Sequence, residues 1–310
     1  MTVLDYHKIE KPQIPRPGGP ALIVSIVVGE AVIFAASGNY AILALALVTL
    51  VSGVIGIFDD MYTLGGVMKP ALLILAGIPL IIVPMISGHQ VFSSHLYLPL
   101  FHTPTNLPIL YPLLVLAAIP ITTNTINTID VLNGVVSGFV LIAMIPVAFA
   151  VAIRYFVGKG DPVVALATLP IFAAVGAFFI FHRYPSKIFP GDSGALAMGG
   201  AFGAMAIIGG VEFVAVVAIL PAILNSFFFL SSVRRLVEHR QVKSNPTVAL
   251  PDTKILSSDD PKAPITLMRL LVTFEPLGEE KIALDILKVT AYCAVLAALT
   301  ALFTWVFTIG

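Results

Sequence analysis

Long apolar stretches separated by short polar breaks run along almost the whole chain, and their lengths set the first constraint. A bilayer core takes roughly 20 helical residues per crossing, and somewhat fewer inside a packed bundle. Stretches of that size lie near residues 21–36, 41–58, 71–86, 109–126, 135–153, 163–181, 195–210, 211–230 and 286–308. They predict about nine membrane-spanning helices. Two pairs of them are separated only by Ser37–Tyr40 and by the turn near Gly209 and Glu212, which predicts tight hairpins. The opening MTVLDYHKIEKPQIPRPGG is polar and basic, and does not read as a cleavable signal peptide.

Composition agrees with this pattern. Of 310 residues, 58% are hydrophobic and only 11% charged, whereas soluble domains are usually about 45–50% apolar and about 25% charged. A disordered chain and an ordinary water-soluble enzyme are therefore excluded. Lys plus Arg and Asp plus Glu are 17 each, so no net charge points to a nucleic acid. The single Cys293 allows neither an internal disulfide nor a cysteine metal cage. The predicted fold class is an all-α polytopic membrane protein. It reads as one domain over 1–310, with a long polar loop at 231–285 before the last helix. With a cytoplasmic N-terminus and one crossing per stretch, all of the 17 basic residues except Arg154 and Lys159 fall on the cytoplasmic side.

The same alternation places Asp59, Asp60, Asp130 and Asp192 at the cytoplasmic surface. Carboxylates at membrane depth are costly and tend to mark function. Four of them from three loops predict a convergent site for a divalent cation, and hard oxygen ligands suit Mg²⁺. Gly191-Asp192-Ser193-Gly194 stands where a helix begins, so its free N–H groups can face an anion. Gly199 and Gly203, further along, read as helix packing. The segment NTINTIDVLNGVVSG sets Asn124, Asn127, Asp130 and Asn133 at three-residue intervals; if helical, they share one broad face. Asn amides both donate and accept, as a uracil edge requires. The plainer reading is a polar helix end before an Asn133-Gly134 turn. VALPDTKIL in the long loop reads as a small hairpin. His89, His95 and His102 read as solvated loop residues. Glu30 is expected to be paired within the bundle, and Glu212 to be solvated in an outer turn.

Four blocks carry a resemblance: QIPRPGG, GIFDDMYTLGGVMKP, NTINTIDVLNGVVSG and KIFPGDSGALAMGG. In this order they resemble the polyprenyl-phosphate N-acetylhexosamine-1-phosphate transferases. Leu132-Asn133-Gly134, His239-Arg240 with Lys243, and PITLMRLLVTFEPLGEEK look closest to the eukaryotic and archaeal branch of that family. That branch makes N-acetylglucosaminyl-diphosphodolichol. Two departures stand out. The family usually has ten spans, one of them before the QIPRPGG block, and Asp130 stands where the eukaryotic enzymes are often apolar.

The resemblance implies transfer of N-acetylglucosamine 1-phosphate from UDP-N-acetylglucosamine to dolichyl or polyprenyl phosphate, with Mg²⁺ or alternatively Mn²⁺ as cofactor. It implies catalytic roles for Asp59, Asp60, Lys69 and Asp192, with Asp192 and Asn127 on the metal. Asn124, Asp130, Asn133, His239, Arg240 and Lys243 would bind substrate. A lipid phosphate is already largely dianionic at neutral pH, so Asp59 and Asp60 are assigned to positioning ahead of base catalysis. The expected setting is the cell membrane, or the endoplasmic reticulum membrane in a eukaryote, among membrane lipids and with room for a homodimer. The alternatives are an undecaprenyl-phosphate transferase of cell-wall synthesis and, in another class, a cation-coupled transporter.

Overall fold

The computed structural model describes residues 2–4, 13–15, 18–99, 101, 103–234, 242, 244–251 and 253–308. Its helices are α1 (Gly18–Ser37), α2 (Tyr40–Tyr62), α3 (Met68–Ser87), α4 (Leu110–Thr128), α5 (Val135–Phe156), α6 (Pro162–Leu166), α7 (Thr168–His182), α8 (Gly191–Gly209), α9 (Glu212–Ala218), α10 (Leu220–Val233), α11 (Leu267–Leu271) and α12 (Glu279–Leu302). A π-helical turn at Phe303–Thr308 continues α12. Among the described residues, 8 helical spans are long and apolar enough to cross a membrane, α6 and α7 together forming one of them. Helices α9 and α10 make a ninth only as a pair, bent by 67°. The nine apolar stretches are thus all helical, and the protein is a polytopic, all-α integral membrane protein. The eighth stretch is broken where a single span was expected. Pro221 stands in the first turn of α10 and has no N–H to carry the helical ladder across the break.

Helix α8 is the axis of the bundle, with every residue buried. Its Gly- and Ala-rich sequence leaves little side chain to pack, so neighbouring backbones come close. A side-chain carbon at Gly199 would meet the Cα of Thr123 on α4 at 2.6 Å, and one at Gly203 would overlap the Thr122 hydroxyl. From α2, Gly56 lies directly against the backbone of Ser193. This is helix packing, as the spacing of Gly199 and Gly203 predicts. Large apolar side chains at Val24, Val28 and Val32 of α1 face outward, where lipid replaces water.

At the end of the bundle away from Asp192, Arg154 is buried rather than solvated. Its guanidinium donates to the carbonyls of Gly209 and Lys159, and lies 4.7 Å from the Trp305 ring centre and 5.2 Å from that of Tyr97. Glu212, expected to be solvated, instead accepts a hydrogen bond from the Tyr111 hydroxyl, and its other carboxyl oxygen is buried. Glu30 also departs from expectation. It is fully buried in α1, and neither carboxyl oxygen has a hydrogen-bond partner among the described residues. His89 stacks on Tyr40 and His95 meets the Ser93 hydroxyl, while His102 lies outside the described residues.

Small sheets complete the chain. Strands β1 (Thr2–Leu4) and β2 (Gln13–Pro15) pair, as do β3 (His95–Leu96) and β4 (Thr105–Asn106). In the long loop, β5 (Thr247–Ala249) and β6 (Lys254–Ser257) form the hairpin expected of VALPDTKIL, and β7 (Leu277–Gly278) adds a third strand beside β6. Arg269 pins this loop by donating to the Ser258 carbonyl at 2.9 Å and to the Asp260 and Pro264 carbonyls at 3.3 Å. The Asp260 carboxyl is held below the ordinary carboxylate range, first by the Ser244 hydroxyl and then by the Lys262 amide.

The close approach of α4 to α8 generates a test. Gly199→Leu should lower stability in detergent by about 1–3 kcal/mol or more, the scale of an overpacked core. Gly65→Ala, with open space around it, should leave the melting curve in place.

Candidate active site

The second apolar stretch ends in Asp59-Asp60, and the two carboxylates take different tasks. Thr63 caps α2 in a left-handed conformation (φ 50°), its N–H bonding to the Asp59 carbonyl at 2.9 Å. One carboxyl oxygen of Asp59 then accepts the Leu64 N–H at 2.6 Å. The other faces Lys69, whose Nζ stands 2.7 Å away. Asp60 reaches across to α8. Its carboxylate accepts the backbone N–H of Asp192 at 2.9 Å, that of Ser193 at 3.1 Å and the Ser193 hydroxyl at 2.8 Å. The first N–H groups of a helix have no partner within it and carry partial positive charge. The residue before α8 is Pro190, which offers no side-chain cap. Asp60 supplies the cap from another helix, and so fixes the backbone that carries Asp192.

Lys69, in the first turn of α3, is the meeting point. It is 1% exposed, and its ammonium faces Asp59, the Asn127 Oδ1 at 2.9 Å and the Asp192 Oδ1 at 3.4 Å. Asn127 in turn donates through Nδ2 to the same Asp192 oxygen at 2.9 Å. Helices α2, α3, α4 and α8 each contribute one side chain to this cluster. Among the described residues, this cluster sets two carboxylates and an amide oxygen, all hard oxygen donors, around one ammonium.

The four carboxylates expected to converge on one cation do not do so. Asp59 and Asp192 share Lys69, and Asp60 caps α8. Asp130 lies beyond the end of α4, its N–H bonding to the Asn127 carbonyl at 3.1 Å. Among the described residues no group of three or more His, Cys, Asp or Glu side chains is set to hold a metal. Nor do the four spaced residues share one helix face, because α4 stops at Thr128. Asn124 and Asn127 line one groove, while Asn133 lies past the helix end, buried on Glu279 of α12. Both the backbone N–H and the side-chain amide of Asn133 donate to the Glu279 carboxylate. His239, Arg240 and Lys243 lie outside the described residues.

The groove beside Asn127 has a volume of about 760 Å³. Its walls are apolar, with Ile74 from α3, Leu116 and Ile121 from α4, and Phe229 and Leu230 from α10; Asn124, Asn127, Thr128 and Ser226 form the polar part. Asn225 holds the bent helix there, donating to the Thr128 carbonyl at 2.9 Å and accepting the Leu267 N–H at 2.8 Å. Glu279 and Asn225 were not singled out from sequence. The polar Asn225-Ser226 pair inside the apolar run at 211–230 was a signal for the latter. Glu279 sits in an ordinary charged helix start, and its partner is 146 residues away.

The family model for glycosyl transferase family 4 matches residues 42–210. That span is more than half of the chain and contains Asp59, Asp60, Lys69, Asn127 and Asp192. The chain belongs to glycosyl transferase family 4. A protein of Saccharolobus solfataricus is 31% identical over 208 residues, which is 66% of this chain and 62% of that protein. It is provisionally named a UDP-N-acetylglucosamine–dolichyl-phosphate N-acetylglucosaminephosphotransferase. The phospho-N-acetylmuramoyl-pentapeptide-transferase of Oceanobacillus iheyensis is 30% identical over 207 residues, covering 64% and 62% of the two chains. A Bacillus subtilis protein, provisionally named an undecaprenyl-phosphate N-acetylglucosaminyl 1-phosphate transferase, is 29% identical over 206 residues, covering 66% and 53%. The chain thus spans less than two thirds of the length of these curated relatives.

The lysine-centred cluster generates the next test. Lys69→Met leaves the Asp59 carboxylate buried without its cation and should cost about 3–5 kcal/mol. Adding Asp59→Asn should restore part of that loss in the same denaturation assay. A Lys69→Met protein as stable as the parent would show that the two charges do not depend on each other.

Proposed function

We propose that the protein transfers N-acetylglucosamine 1-phosphate from UDP-N-acetylglucosamine to dolichyl or another polyprenyl phosphate, releasing UMP and forming an N-acetylglucosaminyl-diphospho-lipid. One observation carries this reading: Asn127 belongs both to the Lys69 cluster and to the apolar groove. A polar, charge-rich centre thereby opens onto a path suited to an isoprenoid chain. The names of the relatives support a nucleotide-sugar donor and a polyprenyl-phosphate acceptor. The cytoplasmic side is supported by the basic residues at this end of the bundle, with Arg154 and Lys159 at the other.

Two anions must meet in this reaction, so alignment and charge neutralisation dominate its catalysis. Lys69 supplies a fixed positive charge at the diphosphate. A phosphate oxygen of the acceptor attacks the phosphorus that bears the sugar, and the bond to the UMP oxygen breaks. The attacking lipid phosphate is largely dianionic at neutral pH, so no side chain need remove a proton. Asp59 accordingly orients Lys69, and Asp60 orients Asp192 through the start of α8. The carboxylate and amide oxygens of Asp192 and Asn127 are hard donors of the kind that suit Mg²⁺, and they would hold it; when bound it would screen the diphosphate and stabilise the leaving UMP. Asn124 lies at the polar part of the groove, beside the path of the acceptor phosphate. The uracil end of the donor is assigned to Asp130 and Asn133, and the sugar-phosphate to His239, Arg240 and Lys243, on the strength of the resemblance.

Purified protein given radiolabelled UDP-N-acetylglucosamine, Mg²⁺ and a panel of polyprenyl phosphates should release UMP and label the lipid. Chelation should stop it. Asp192→Ala should lower the rate by at least about 100-fold. Asp59→Asn should lower it without recovery at high pH; rate regained above neutrality would assign Asp59 to base catalysis instead. Failure to release UMP with any acceptor, alongside solute uptake into vesicles, would favour the transporter reading.

A further inference from the structure

A second cavity, of about 370 Å³, is lined by Asn133 and Gly134 together with the ends of α7 and α12. It is not part of the Lys69 cluster or of the groove along α4 and α10. Its inner wall is apolar, formed by Phe179 and Ile180 of α7 and Leu284 and Leu287 of α12. Its polar rim is formed by Arg183 and Lys187, with Glu280 opposite. Arg183 and Lys187 are exposed and make no ion pair among the described residues. The rim therefore carries two cations against one carboxylate, on the same end of the bundle as Asp192. Helices α7 and α12 also present Ile180 and Leu284 outward, at 60% and 51% exposure, so the apolar wall continues into the bilayer.

We propose that this cavity is a binding site for an anionic glycerophospholipid of the leaflet that borders the active site. The lipid phosphate takes Arg183 and Lys187, an acyl chain lies along Phe179, Ile180, Leu284 and Leu287, and Glu280 faces a hydroxyl of the headgroup. Basic pockets between spans at the cytoplasmic surface suit this class of ligand, and cationic side chains at that depth hold their charge at the headgroup level. A soluble nucleotide lacks the acyl chain that the apolar wall would cover; because Asn133, assigned above to the uracil end of the donor, also lines this cavity, competition by UDP is the control that separates the two ligands. Gly134, in a left-handed conformation (φ 81°), packs so tightly against Arg183 that an added carbon would lie 2.9 Å from the Arg183 Cα. The inference rests on the membrane fold and the rim charges, and stands whether or not the transferase reading does.

Native mass spectrometry of delipidated protein titrated with phosphatidylglycerol or phosphatidylcholine tests it. Phosphatidylglycerol should be retained at low molar ratio and phosphatidylcholine should not. Arg183→Ala with Lys187→Ala should weaken retention at least about five-fold, which corresponds to about 1 kcal/mol. Leu284→Trp, filling the apolar wall without touching the charges, should weaken it too. All these positions are exposed, and an unchanged gel-filtration profile would confirm folding. Equal retention of both lipids, retention unchanged in the double variant, or displacement of phosphatidylglycerol by UDP would overturn the proposal.

Discussion

A lysine ammonium buried at the end of a membrane bundle is tolerable only if oxygen atoms surround it. Lys69 meets that condition with Asp59, Asn127 and Asp192, and each comes from a different helix. The ends of α2, α3, α4 and α8 must therefore stay in register, and much of the local structure serves this. Thr63 and Leu64 tie down Asp59, and Asp60 ties down the start of α8. Glycines along α8 let α2 and α4 come close enough for the side chains to meet. Under the proposed function, the same requirement holds the ammonium where a diphosphate would meet it.

At the opposite end of the bundle Arg154 is buried too, among the backbone carbonyls of Gly209 and Lys159, the rings of Tyr97 and Trp305, and the charge of Glu212. The two ends thus differ in how they satisfy a buried cation: carboxylates and an amide around Lys69 at one, backbone carbonyls and aromatic rings with Glu212 nearby at the other.

The spans were legible because about 20 consecutive apolar residues have few alternatives to a membrane helix. The break between α9 and α10 was not legible from Pro221 alone. Pro79 and Pro84 in α3, Pro120 in α4 and Pro146 in α5 all stand inside continuous helices, so proline by itself does not mark the broken one. Asn225, through its bonds to Thr128 and Leu267, ties α10 to the end of α4 and to α11. The block motifs located Asp59, Asp60, Lys69, Asn127 and Asp192, and their resemblance to a family placed the chain correctly. What they did not convey was the division of labour between adjacent aspartates, because sequence neighbours on a helix end point to different partners. Tyr111 with Glu212 and Asn133 with Glu279 were equally out of reach, being contacts 101 and 146 residues apart.

The central claim is that a single charged cluster around Lys69, open to an apolar groove, receives the sugar-bearing diphosphate. A cryo-electron microscopy map of the protein with UDP-N-acetylglucosamine and Mg²⁺ tests it most directly. The predicted result is diphosphate density against Lys69 and Asp192, with its sugar-bearing phosphorus facing the groove beside Asn127. Nucleotide density at the Arg154 end, or ordered density that leaves Lys69 in contact only with Asp59, Asn127 and Asp192, would contradict it.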